Sequence, residues 1–130
     1  MEELNDDPRT SPHKGKTGLR RLWNALSYSM AGIKAAYQHE DAFRQECLAA
    51  CVLIPVALLV PTAPIGKAML AASVFLVLIV ELLNSALEAA VDRISLENHQ
   101  LAKRAKDIGS AAVFVSLLNL VIVWVLVLSG

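Results

Sequence analysis

The chain has 130 residues, 55% of them hydrophobic and only 5% aromatic, and its twelve basic residues balance its twelve acidic ones. There is room for one domain, and the composition fits a small integral membrane protein better than a soluble one. A formal net charge of zero gives no electrostatic case for a nucleic-acid partner.

The first 17 residues are polar, with Pro8, Pro12, Gly15 and mixed charges, and are expected to form a disordered tail without a cleavable signal. Residues 18–39 read as an amphipathic helix. Leu19, Leu22, Trp23, Leu26, Met30, Ile33 and Tyr37 recur at three- and four-residue steps, while Arg20, Arg21, Asn24, Ser27 and Lys34 fall mostly elsewhere on the wheel. Trp23, Tyr28 and Tyr37 beside basic residues suit a helix lying in the headgroup region. The core-facing helix of a soluble bundle is the alternative.

The charge-dense HEDAFRQE (39–46) gives way to CLAACVLIPVALLV, 14 residues that extend to a first span over about 46–62. Pro55 is expected to kink this helix without breaking it. Cys47 and Cys51 lie one turn apart with no metal-ligand pattern around them, and a disulfide at this spacing on one helix is strained. They read as two small buried or lipid-facing thiols. Pro61, Pro64 and Gly66 mark a tight turn. A second span follows over about 68–91, then a polar stretch (92–107) expected to be helical for much of its length, and a third span over about 108–128. Gly109, Ser110, Ala111 and Ala112 open the third span, and small residues let helices approach closely. All Lys and Arg except Lys67 lie in the N-terminal region or in 92–107, so both are expected on the cytoplasmic side.

Glu81, Asn84, Ser85 and Glu88 lie along one face of the second span. A carboxylate inside a span costs about 2.5–3.5 kcal/mol on insertion scales. This stripe must therefore face other helices, an ion or a substrate. Glu88, Glu40 and Glu46 gather at the cytoplasmic surface with Lys103, Arg104, Lys106 and Asp107. Carboxylates hold a hard cation and cations neutralise phosphates, which is what a magnesium nucleotide needs. Glu81 could accept a proton from a lipid hydroxyl. Proton or cation transport explains an intramembrane glutamate equally well. Neither a GxxxxGK[ST] loop nor a G-x-G-x-x-G element is present. The residues alone leave a kinase and a small transporter both open.

VELLNSALEAAVDR (80–93), RAKDIGSAAV (104–113) and AAYQHEDAFRQE (35–46) strongly resemble the prokaryotic integral-membrane diacylglycerol kinase family. The likeness covers about residues 19–128. It implies an all-α membrane protein, a surface helix plus three spans, assembled as a homotrimer with shared active sites in the inner membrane. It also implies transfer of the γ-phosphoryl group of Mg-ATP to diacylglycerol. A related branch phosphorylates undecaprenol, and the motif forms here look closer to the diacylglycerol branch.

By the resemblance, Glu81 matches the general base and Glu40 and Glu88 the metal-coordinating carboxylates. Arg21, Tyr28, Glu97, Asn98, His99, Lys106 and Asp107, with Glu40 and Glu88, match nucleotide-contacting positions. Arg21, Ser29, Lys34, Ala42, Phe43, Arg44, Gln45, Glu46, Glu81, Asn84 and Ser110 match the lipid-substrate region. The polar tail has no counterpart in the family.

Overall fold

A computed structural model describes residues 14–94 and 99–130, all of them in helices or the short turns between them. The helices are α1 (Lys14–His39), α2 (Asp41–Leu59), α3 (Pro64–Ile94) and α4 (His99–Ser129). Among the described residues, α2, α3 up to Arg93 and α4 are long and apolar enough to cross a membrane. The chain divides into two units, Met1–Ala35 and Ala36–Gly130. In the first, the described side chains from Gly18 to Ala35 are all exposed on α1.

The helix ends follow from local chemistry. Glu40 is extended (φ −118°, ψ 110°) and separates α1 from α2. Val60 closes α2 with φ −64° and ψ 144°, the extended conformation that a following proline imposes through its ring, here Pro61. Pro64 then opens α3, where a fixed φ is an asset and a missing N–H costs nothing. Ala63 accepts the first α3 bond from the Lys67 amide at 3.1 Å. Pro55 lies inside α2, which continues past it to Leu59.

Some boundaries differ from the sequence expectation. α1 starts at Lys14 instead of 18, and α2 takes in the charged segment from Asp41. The polar stretch 92–107 is helical for much of its length, as expected. Its first residues end α3, and from His99 onward it forms the opening turns of α4. Polar residues with good helix propensity prolong an apolar helix beyond its span, because hydropathy marks where lipid ends and not where the helix ends.

α3 packs against both α2 and α4. The buried positions repeat at about seven residues. On the spans they are Phe43, Ala50 and Ala57 on α2, Gly109 and Ser116 on α4, and Gly66, Leu70, Ser73, Val74, Val77 and Glu81 on α3. This is the spacing at which one seam keeps facing a neighbouring helix. The α2 and α4 seams are mostly small residues. Close approach matters because lipid is as apolar as leucine, so packing and hydrogen bonds must hold the helices together. Large apolar side chains such as Phe75, Phe114 and Leu126 point outward, as a lipid-facing surface requires.

One side-chain hydrogen bond ties α3 to α4 away from the carboxylates. Trp124 Nε1–H donates to Ser73 Oγ at 3.0 Å, and that hydroxyl donates to Leu70 O at 2.7 Å. Trp124→Phe keeps the ring and removes the donor. In a double-mutant cycle with Ser73→Ala, unfolded in detergent, the coupling is expected to be about 0.6 kcal/mol and no more than about 1.7.

Candidate active site

The α2 N-terminus, the C-terminal half of α3 and the first turns of α4 converge through the α2–α3 and α3–α4 packing. Glu81 is the innermost charged group, only 4% exposed. Asn84, Ser85 and Glu88 continue its face at half-buried positions. Glu40 and Glu88 both repel the Glu81 carboxylate, and Glu81 repels Glu46 on α2. Four carboxylates from two helices and the break before them thus share one electrostatic neighbourhood.

Three polar atoms here are buried without a hydrogen-bond partner: Glu46 Oε2, Asn84 Oδ1 and Ser85 Oγ. Each such atom costs about 1–3 kcal/mol unless something supplies its bond. One is a carboxyl oxygen, one an amide carbonyl oxygen and one a hydroxyl.

α4 completes the wall. An ideal Cβ on Gly109 would collide with Asn84 Oδ1 and lie 3.0 Å from Leu87 Cδ2. Glycine lets the α4 backbone lie directly against the Asn84 amide. Farther along, Lys106 Nζ reaches Asp92 Oδ1 at 2.5 Å across the α3–α4 pair, and Lys103 Nζ reaches Asp107 Oδ2 at 2.6 Å within α4. An open groove along α4 is lined by Gln100, Lys103, Arg104, Asp107, Ile108 and Ala111. It is charged at one end and apolar at the other.

The remaining sequence candidates fall in different places. Phe43 is buried, while Ala42, Gln45 and Ser110 are exposed. His99 opens α4 and is exposed. Arg44 turns back onto α1, donating to Tyr37 O at 3.0 Å and Gln38 O at 3.1 Å and pairing with Asp41. Arg21, Tyr28, Ser29 and Lys34 lie exposed on α1, and Ser29 Oγ donates to Ala25 O at 2.9 Å. Glu97 and Asn98 lie outside the described residues. Ser85, from the polar stripe, is orphaned, and Asp92, absent from the sequence candidates, holds Lys106. The pattern E-x-x-N-S-x-x-E-x-x-x-D contains both, so the signal was present as spacing on one helix face.

Among the described residues no three His, Cys, Asp or Glu side chains converge to hold a metal ion. Magnesium does not need such a cage, because it keeps several waters and takes one or two carboxylates plus substrate phosphates. The hard oxygen donors of Glu40 and Glu88, beside orphaned acceptor atoms, fit that habit.

These features define a three-span membrane protein whose central span, α3, carries a carboxylate-rich face. The profile described as prokaryotic diacylglycerol kinase matches residues 27–128. A protein named diacylglycerol kinase from Pseudomonas aeruginosa is 54% identical over 120 residues, covering 92% of this chain and 98% of that protein. Proteins of the same name are 49% identical in Haemophilus influenzae, over 83% of this chain and 92% of the relative, and 46% identical in Escherichia coli, over 86% and 92%. The chain belongs to the prokaryotic diacylglycerol kinase family and is an enzyme, a kinase.

Gly109→Ala should destabilise the protein by about 1–3 kcal/mol, as overpacking does. Gly32→Ala on α1, where nothing lies within 4 Å of the added carbon, should be neutral or stabilising by up to about 1 kcal/mol. Detergent unfolding of the two variants reads the contrast directly.

Proposed function

We propose that this protein transfers the γ-phosphoryl group of ATP to the free hydroxyl of 1,2-diacylglycerol, giving phosphatidic acid and ADP. The observation that carries the reading is the buried Glu81 carboxylate amid Glu40, Glu46 and Glu88. The names of the relatives support the acceptor.

Glu81 is the general base. It takes the hydroxyl proton as that oxygen attacks the γ-phosphorus and the bond to the ADP oxygen breaks. Asn84 beside it orients the acceptor. Burial at 4% exposure keeps water from competing as acceptor. Glu40 and Glu88 hold Mg2+, which when bound neutralises phosphate charge. Lys106 approaches the γ-phosphate, and Asp107 and His99 serve the nucleotide. Ala42, Phe43, Gln45, Glu46 and Ser110 line the lipid path. Phosphoryl transfer then rests on positioning and charge neutralisation.

The protein acts as a homotrimer with active sites shared between neighbours. α1 lies as an amphipathic helix on the membrane surface. The protein sits in the inner membrane with its N-terminus and the 92–107 segment on the cytoplasmic side, where its basic residues belong.

Purified protein in mixed micelles should move labelled γ-phosphate from Mg-ATP to diacylglycerol. Glu81→Gln should lower kcat by about 10²–10⁴-fold, the usual share of a general base, while remaining folded. Full turnover in that variant would remove Glu81 as the base. Preferential labelling of undecaprenol in the same assay would change the acceptor and keep the chemistry.

A further inference from the structure

The break between α1 and α2 is a single residue, Glu40. Its own N–H still closes the last bond of α1, to Ala36 O at 2.9 Å, and its carbonyl accepts the first bond of α2, from the Arg44 amide at 3.2 Å. Its carboxylate makes no capping bond to α2 and so stays available. In an unbroken helix the amides of Asp41 and Ala42 would donate to the carbonyls of Tyr37 and Gln38. The extended backbone at Glu40 interrupts that ladder. Arg44 Nη1 donates to those same two carbonyls, at 3.0 and 3.1 Å, and its other terminal nitrogen pairs with Asp41 in the first turn of α2. One guanidinium thus stands in for both interrupted bonds and grips each side of the break. Its fork of donors in one plane suits it for this.

We propose that Arg44 is a positioning residue for Glu40: by bridging the α1–α2 break it sets the direction in which the Glu40 carboxylate projects. Two terminal carbonyls and one carboxylate take three of its five N–H donors, all of them at the break. The consequence for metal binding rests on the reading of Glu40 as a magnesium ligand given above.

The test uses full-length protein in detergent, with Arg44→Ala, Arg44→Lys and Glu40→Gln. Amide hydrogen exchange reports the break itself. Arg44→Ala should speed exchange across residues 36–44 by tenfold or more and leave the middle of α3 unchanged, and Arg44→Lys should restore part of the protection. Binding of Mn2+ with a non-hydrolysable ATP analogue, read by electron paramagnetic resonance, reports the carboxylate. Arg44→Ala should weaken it about fivefold, in the direction of Glu40→Gln, with the KM for diacylglycerol within twofold of wild type. Unchanged exchange at 36–44 in Arg44→Ala overturns the proposal. So does loosened exchange with Mn2+ binding intact where Glu40→Gln weakens it, or a shift confined to the lipid KM. If Glu40→Gln leaves Mn2+ binding intact, the metal reading of Glu40 fails, and the exchange result alone decides whether Arg44 holds the break. If Arg44→Ala does not fold, Arg44→Lys carries the same comparisons at smaller amplitude.

Discussion

A carboxylate in the middle of an apolar helix governs this structure. Glu81 cannot face hydrocarbon, because an isolated charge there costs several kilocalories per mole. α3 must therefore have protein beside the Glu81 face, and it packs against both α2 and α4. Everything else follows from covering that face. The neighbours must come close, so their seams carry Ala50, Ala57, Gly109 and Ser116 where a soluble bundle would place leucine. They must also not fill the site. Where α4 passes Asn84 it therefore has a glycine, and the amide rests against bare backbone.

The polar side chains of the spans divide by duty. Ser73, Ser116 and Trp124 have their hydrogen bonds made, to a backbone carbonyl or to one another. Glu46, Asn84 and Ser85 each leave a buried oxygen without a partner. Buried polar groups in native structures are nearly always paired, so a cluster of exceptions needs a reason. Here two of the exceptions share the α3 face of Glu81, and the third, Glu46, lies on α2. A site built to meet a cation and a phosphorylated donor would have this character before its ligands arrive. The structural polar residues show that the fold can satisfy such groups where nothing else will.

The sequence makes the helical class, the three spans and the buried face of α3 legible, since hydropathy and helical periodicity depend only on neighbours along the chain. Glu81, Asn84, Ser85 and Glu88 share a face by spacing alone. The contact of Gly109 with Asn84 is not legible in that way. The small residues opening the third span predict a close approach, but which residue they meet depends on helix register. Arg44 shows a different limit. Its motif resembles a lipid-contact segment, yet its side chain bonds backbone carbonyls that exist as free acceptors only because Glu40 interrupts the helix. Sequence shows the arginine and not the break. Asp92 was visible as the end of the apolar run, while its pairing with Lys106 requires the return of α4.

The basic residues are used in two ways, and their chemistry fits each. Arg44 is committed to the fold, with its planar fork spread over two carbonyls and a carboxylate. Lys106 and Lys103 are held by single, solvent-exposed acids, Asp92 and Asp107. Exposed ion pairs of this kind are weak, because water screens them and long side chains lose entropy to keep them. A lysine so held is easily exchanged to another anion. On the proposed function the incoming γ-phosphate is that anion, and Asp92 loses its lysine without being left buried and charged. Binding therefore costs little in broken contacts at the surface. On the same proposal the larger electrostatic gain lies in the interior, where a bound cation would relieve the repulsion that Glu40 and Glu88 exert on Glu81.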